Sequence, residues 1–465
     1  GSITSFFDKK NAAEFAAGAD PAPLFSLHWV NANGQTNVLL STEAQTVSRQ
    51  GAFAATNELL LAFHYAQPSA EVLCRARLRE TAPRLLWKIE VRFADSQTLG
   101  EIRFPAMRVR LPAESNPRFV VGSTKGGILK AEHFAKQSSW NWQQPGTLAS
   151  PFAFYYNERS GFYFASQDPN GVPKQIEATF ARSGLEISFH HLCHAHKELL
   201  PGYELSMDCL ASDGNEVLDW RHGADLYKSW AEKQIWCAQK ISDRKDLPRW
   251  MKSGPAFVQF DGAMSGPSNR EWLADPEAVL RWFELDWKKN YPASTPLLVG
   301  LWGWEKVGPW VGGNYFPVYP SDEVFTSLVK KLRSRGGHLS LWPSGYNWAL
   351  TYLKNPDGTF YFEDRKSFAP YQKHAVIEPN GELRVRRPSW LKGGELSQLC
   401  PGEKETRDWF DKQVGRPLSQ RGVEMIQVDQ MVGGRFPFCY AEGHAHPQGP
   451  GPWMTEVFAR QLVSL

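Results

Sequence analysis

In Met425-Ile426-Gln427-Val428-Asp429-Gln430 an apolar strand pattern stops on a carboxylate, and an acid at such a place costs folding energy unless a partner or a reaction uses it. A second apolar run, Ala256 to Asp261, also closes on an acid. Between them Pro296 to Trp302 runs into Trp302, Trp304 and Glu305, and His338 to Trp342 runs into Trp342, Ser344, Tyr346 and Trp348. Carboxylates ringed by indoles and phenols suit the cleavage of a glycosidic bond. Aromatic faces stack on the C–H faces of sugars, and two acids perform the nucleophilic and acid–base steps. Each residue also has a plain structural reading. Asp429 could cap or pair, Asp261 could turn the chain before Gly262, Glu305 could pair with Lys306 in solvent, and the indoles could fill an interior.

The segment leaving Asp429 includes Gln430 and Arg435 and continues through GGRFPFCYAEGHAHPQGPGPW, residues 433–453. Gly, Pro, His and aromatics in that density make a loop able to surround a ligand. Glu442 is the local candidate for a second carboxylate, with an exposed loop acid as its alternative. His444 and His446 form an H-x-H, which on a strand can bring two imidazoles to one metal. Gly and Pro flank it, and no third His or acid stands at a set spacing. The two histidines are therefore expected to bond sugar hydroxyls or shape the loop, with no metal and no cofactor.

The elements that must hold these residues fall into two rhythms. From Leu24 to about Leu210 short apolar or alternating runs follow one another, among them Asn57 to His64, Leu85 to Phe93, Phe152 to Tyr156 and Leu185 to His190. Such runs, separated by turns like Asn157 to Gly161 and Asp168-Pro169-Asn170-Gly171, predict an antiparallel two-sheet sandwich over 1–215. A helical linker, 216–254, follows. Beyond Pro255 strands alternate with helices: Asp275-Pro276 and Ser321-Asp322-Glu323 start helices, and Gly336-Gly337 and Gly422 stop them. Four β-then-α units predict a parallel sheet over 255–465, interrupted by an inserted β-flap at 349–400. No Gly-rich phosphate loop follows the first strand, so a (β/α)8 (TIM) barrel is favoured over an open nucleotide-binding sheet. A barrel needs eight strands and about 250 residues, whereas roughly 210 follow Pro255. The expectation is a barrel cut off after about four units, with a C-terminal remainder or a second chain supplying the rest.

Composition narrows the partners. Lys and Arg number 52 against 49 Asp and Glu, so a net charge of +3 makes no electrostatic case for nucleic acid or an anionic membrane. No run of about 18 uncharged apolar residues occurs, which removes a membrane-spanning helix. The six cysteines contain no CxxC pair and are expected to be isolated thiols. The compartment stays open, a secreted or periplasmic one being favoured.

The phrase Ser150-Pro151-Phe152-Ala153-Phe154-Tyr155-Tyr156-Asn157 with Gly161-Phe162-Tyr163, the strand ending Gln427-Val428-Asp429-Gln430, and Cys439 with Gly443-His444-Ala445-His446-Pro447 resemble glycoside-hydrolase-like proteins distantly similar to the endo-α-N-acetylgalactosaminidases and the α-galactosidase group. The resemblance implies a β-supersandwich ahead of a catalytic barrel and a retaining α-glycosidase whose nucleophilic Asp ends the fourth strand, matching Asp429. It carries over no general acid/base, because in those relatives that group comes later and this sequence ends 36 residues past Asp429. The expected site thus has Asp429 and Glu442 as catalytic groups, and Asp261, Trp302, Trp304, Glu305, Trp342, Tyr346, Gln430, Arg435, His444 and His446 around a carbohydrate. Two alternatives stand beside it: a non-catalytic glycan-binding or assembly protein on an incomplete barrel, and a metal-dependent hydrolase using His444 and His446.

Overall fold

The computed structural model describes residues 1–465 apart from 9–12, 17–19, 32–34, 52–56, 80–83, 94–96, 111–115, 131, 134–138, 182–183, 197, 200, 213, 215, 261–275, 309–310, 390, 392, 430–436 and 465. Two compact units form: Gly1–Ala238 with Pro450–Thr455, and Gln239–Gly449 with Glu456–Leu465. Among the described residues no helix is long and apolar enough to cross a membrane.

The first unit is antiparallel sheet. Glu58–Ala66, Ser69–Leu78 and Leu85–Phe93 lie in one sheet with Glu204–Ala211, Ser160–Gln167, Leu148–Tyr156 and Arg118–Ser123. The other sheet runs in the order Ser139–Gln144, Lys174–Ala181, Gly184–His196, Thr98–Val109, Ser26–Val30, Thr36–Leu40. Period-two patterning does the sorting: along Ser69–Leu78 the buried residues are Ala70, Val72, Cys74 and Ala76, alternating with more exposed neighbours. They meet Phe104, Phe119, Phe162, Phe164 and Phe189 in one core between the sheets. Leu148–Tyr156 departs from alternation, being buried almost throughout from Pro151 onward. Its outer face lies under the helix Trp220–Ala231, with Tyr227 stacked on Phe152 at 5.4 Å, so both faces had to be apolar. Gly223 permits that approach, since a Cβ there would sit 2.7 Å from the Phe154 Cβ.

Two groups, the half-buried Glu101 and the buried His191, make this unit acid-sensitive. Burial alone would raise Glu101, but His190 at 3.2 Å and Arg103 at 2.6 Å outweigh it and hold the carboxyl at about 2. Burial pulls His191 down to about 3, its Nε2–H donating to the Phe104 carbonyl and its Nδ1 accepting from the Tyr203 hydroxyl. The unfolded chain takes up a proton on His191 near pH 6.5 and on Glu101 near about 4.3, while the folded chain does not. In both cases the unfolded state binds more protons, so stability falls as the pH drops. Thermal melts of this unit should lose ground steadily from about pH 6.5 toward pH 3, with His191→Gln flattening the upper half of that slope. A profile flat between pH 6.5 and 4.5 would contradict the His191 contribution.

In the second unit Ala256–Phe260, Leu297–Leu301, Gly337–Leu341 and Met425–Ile426 form a parallel sheet in chain order. Ser321 caps the helix Asp322–Ser334 as expected, its hydroxyl accepting the Val324 N–H at 3.3 Å, and Phe325, Leu328, Val329 and Leu332 bury one face. The helical stretches Pro276–Asn290 and Lys404–Gln420 each contain one π turn, at Phe283–Trp287 and Asp411–Gly415. The fourth strand is shorter than the run Val423 to Asp429 predicts, because its partner runs into Pro343, which has no N–H to continue the ladder. After the third strand, Asn347–Lys354 pairs antiparallel with Phe360–Glu363 and with Glu395–Gln398.

Candidate active site at the strand ends

Register lines up the four strand ends. Phe260 pairs with Leu301, Leu301 with Leu341, and Leu341 with Ile426, so the residues that follow emerge along one edge. Carboxyl ends of parallel strands are where such sheets bind ligands. Trp302 continues the ladder, donating its N–H to the Phe260 carbonyl at 3.1 Å. Gln427 donates to the Leu341 carbonyl at 2.9 Å, and Asp429 to the Pro343 carbonyl at 3.1 Å. That last bond sets half-buried Asp429 against the segment leaving the third strand. Trp302 and Trp342, both partly exposed, meet edge to face at 5.0 Å. Among the described residues the buried Trp342 Nε1 has no hydrogen-bond partner.

The other predicted residues divide. Trp304 is fully buried and covered by the Tyr315 ring at 5.6 Å and 13°, and Tyr346 is fully buried with its hydroxyl donating to Gln461 Oε1 at 2.7 Å. Both support the edge from inside. Glu305, only 2% exposed, is a buried carboxylate rather than a solvated partner of Lys306. It lies close enough to Tyr315 to add to the rise that burial causes in that phenol. Glu442 is an exposed turn residue. Asp261, Gln430 and Arg435 lie outside the described residues. Arg384 and Arg387, between the second and third strands of the insertion, pair with Glu378 and Glu395.

His444 and His446 meet two cysteines. Cys400 Sγ lies 3.1 Å from His446 Nε2 and Cys439 Sγ 3.5 Å from His444 Nδ1, which corrects the expectation of isolated thiols for these two. The Cys400 hydrogen bond, with help from both imidazoles, holds the Cys439 thiol low, while burial pushes Cys400 up. Sequence reasoning overlooked the pair because it looked for CxxC. The available signal was Cys439 standing five residues ahead of His444.

A cavity of about 1550 Å3 in the first unit is lined by Leu59, Leu61, Phe63, Leu78 and Trp87, with Glu216 the one carboxylate among the described lining residues.

A family model described as a domain of unknown function, DUF6259, matches residues 205–465. A Bacteroides thetaiotaomicron protein carrying the provisional name glycoside hydrolase is 20% identical over 414 residues, 86% of this chain and 54% of that protein. The chain thus spans about half the length of this curated relative. Among solved structures, the α-N-acetylgalactosaminidase NagBb of Bifidobacterium bifidum with GalNAc aligns over 99% of this chain and 73% of its own, with a TM-score of 0.65 and 11% identity. The GH36 α-galactosidase AgaA of Geobacillus stearothermophilus aligns over 95% of this chain and 60% of its own, with a TM-score of 0.47 and 11% identity. The Bacteroides relative and the NagBb likeness, which is one of fold, bear out the resemblance read from the sequence.

Proposed function

Because the chain belongs to the DUF6259 family, whose description carries no activity, we propose its function from the strand-end geometry: hydrolysis of α-linked glycosides, with terminal α-galactosyl and α-N-acetylgalactosaminyl groups the first substrates to try. One observation carries the reading. A half-buried carboxylate, Asp429, is bonded through its main chain to Pro343, the residue after a tryptophan that packs on Trp302, at the carboxyl end of a parallel sheet. The NagBb fold and the Bacteroides relative support it.

In this reading an Asp429 carboxylate oxygen attacks the anomeric carbon as the bond to the leaving oxygen breaks, and a protonated acid gives that oxygen its proton. Water then displaces Asp429 from the glycosyl ester and returns a proton to the second group, so the anomeric configuration is kept. Glu305 and Glu442 are the acids of this chain considered for that second role. Retention asks for carboxyls about 5–5.5 Å apart, inversion for about 6.5–9.5 Å. Trp302 and Trp342 offer ring surface to the sugar, and Asp261, Gln430 and Arg435 are assigned polar contacts with its hydroxyls. The four parallel strands are read as half of a (β/α)8 barrel over 255–465, behind a supersandwich over 1–215 and a linker over 216–254. Residues beyond this sequence or a second chain would close it.

The test is a panel of nitrophenyl α- and β-glycosides followed by proton NMR. Cleavage of an α-linked member with the α-anomer as first product is expected. A β-anomer first would replace retention by inversion. Glycan binding with no cleavage of any member would favour a non-catalytic glycan-binding protein and remove the hydrolase reading.

A further inference from the structure

In the second unit four side chains of two chemical kinds converge. The ligand-type atoms of Cys400, Cys439, His444 and His446 all lie within 4.8 Å of one another. Zinc held at about 2.3 Å from sulfur and about 2.0–2.1 Å from nitrogen separates its ligands by about 3.3–3.8 Å in a tetrahedron, so only small side-chain shifts remain. Orientation is the second observation. His446 has its Nδ1 2.7 Å from the Pro447 carbonyl, and His444 its Nε2 3.0 Å from the Lys373 carbonyl. A carbonyl only accepts, so those nitrogens carry the hydrogens. The lone pairs of His446 Nε2 and His444 Nδ1 are thereby aimed at the sulfurs, which is the outer hydrogen bonding that metal-binding imidazoles use.

The surroundings hold this arrangement in place. Cys400 N–H donates to the His374 carbonyl at 2.8 Å, Tyr440 N–H to Ile377 at 2.9 Å, and Gly449 N–H to Cys439 at 2.7 Å. Glu403 accepts from Ala445 N–H at 2.8 Å and contacts His374 Nδ1 at 3.0 Å. Gly402 leaves room for the His446 ring, since a Cβ there would lie 2.1 Å from its Cδ2.

We propose that Cys400, Cys439, His444 and His446 bind one zinc ion in a closed structural site. Two soft sulfurs and two imidazoles, with no oxygen ligand among them, select zinc over calcium, magnesium or manganese. Four protein ligands leave no position open for a water, so the ion fixes structure and does not hydrolyse, which removes the basis for a metal-dependent hydrolase at His444 and His446. Cys400 follows the inserted strand Glu395–Gln398, while the other three ligands lie on the segment that begins ten residues after Asp429. The ion would staple that segment to the insertion.

Full-length protein, purified with reductant and dialysed after equimolar zinc, should retain one zinc per chain by elemental mass spectrometry. Cobalt(II) in its place should give the intense visible bands of a tetrahedral ion and thiolate-to-cobalt charge transfer. His444→Asn, at a half-exposed position that spares the fold, should weaken binding at least about 10–100-fold, and Cys400→Ser with Cys439→Ser should abolish the charge-transfer band. Retention below a tenth of an equivalent would overturn the proposal, leaving two S–H···N hydrogen bonds in its place. So would an octahedral cobalt spectrum, binding unchanged in the variants, or a Cys400–Cys439 disulfide in freshly reduced and re-isolated protein. The wild-type cobalt spectrum decides even where the double variant fails to fold.

Discussion

Asp429→Asn is expected to lower kcat on a cleaved α-glycoside by roughly 10^4–10^6-fold, the scale on which loss of a covalent nucleophile shows, with KM changed little. At 10^4 that is about 5.5 kcal/mol of barrier, more than any sugar-binding contact at this edge would supply. Folding should be spared. Asparagine keeps the size of the side chain and the backbone bond to Pro343, and the position is only half buried. Azide separates nucleophile from acid. With Asp429→Ala, azide can enter the vacated space and attack C1 directly, so an α-substrate should yield the β-glycosyl azide and some turnover should return. If Asp429 were instead the acid, substrates with good leaving groups would still react in the variant and azide would give the α-product. A correctly folded Asp429→Asn protein within tenfold of wild-type activity would end the nucleophile assignment.

Legibility in the sequence followed the range of the interactions involved. The apolar run Leu85–Phe93 and the Ser321 cap follow local rules, and both elements form where those rules put them. The Asn157 to Gly161 turn is local too, with Asn157 N–H donating to the Ser160 carbonyl at 2.9 Å. The strand-end edge was legible because parallel strands must finish together once their register is set, which brings Trp302, Trp342 and Asp429 to one side from far apart in the chain. Burial of Trp304 and Tyr346 was not legible: a ring after a strand looks the same whether Tyr315 covers it or a sugar does. Cys400 meeting Cys439 was hidden for the same reason, since the two stand 39 positions apart in sequence and come together through tertiary bonds such as Tyr440 to Ile377.

The same limit hid the first unit's most consequential polar pair, which yields the largest expected loss of stability. Asp168-Pro169-Asn170-Gly171 reads as a turn, and Asp168 does accept the Asn170 N–H at 2.8 Å and the Val172 N–H at 2.6 Å. Its second task is tertiary: Lys174 Nζ lies 2.5 Å from Asp168 Oδ2, and the two side chains are 0% and 1% exposed. The ammonium also reaches the Val172 carbonyl at 2.5 Å and sits 4.6 Å from the centre of the Tyr203 ring. Burial lowers the Lys174 pKa, and the Asp168 charge opposes that fall. Asp168→Ala leaves a buried cation without its counter-charge, which costs about 3–5 kcal/mol and lowers the melting temperature of this unit by roughly 6–20 °C. Without Asp168 the folded chain gives up the Lys174 proton sooner, while the unfolded lysine keeps it up to about pH 10.4. The unfolded state then binds more protons, so the deficit should shrink as the pH rises toward that value. Joining Asp168→Leu to Lys174→Met removes both charges and should recover most of the loss. Asp168→Ala melting within about 1 kcal/mol of wild type at pH 7 would mean that water reaches the pair and that it does not close this end of the sandwich.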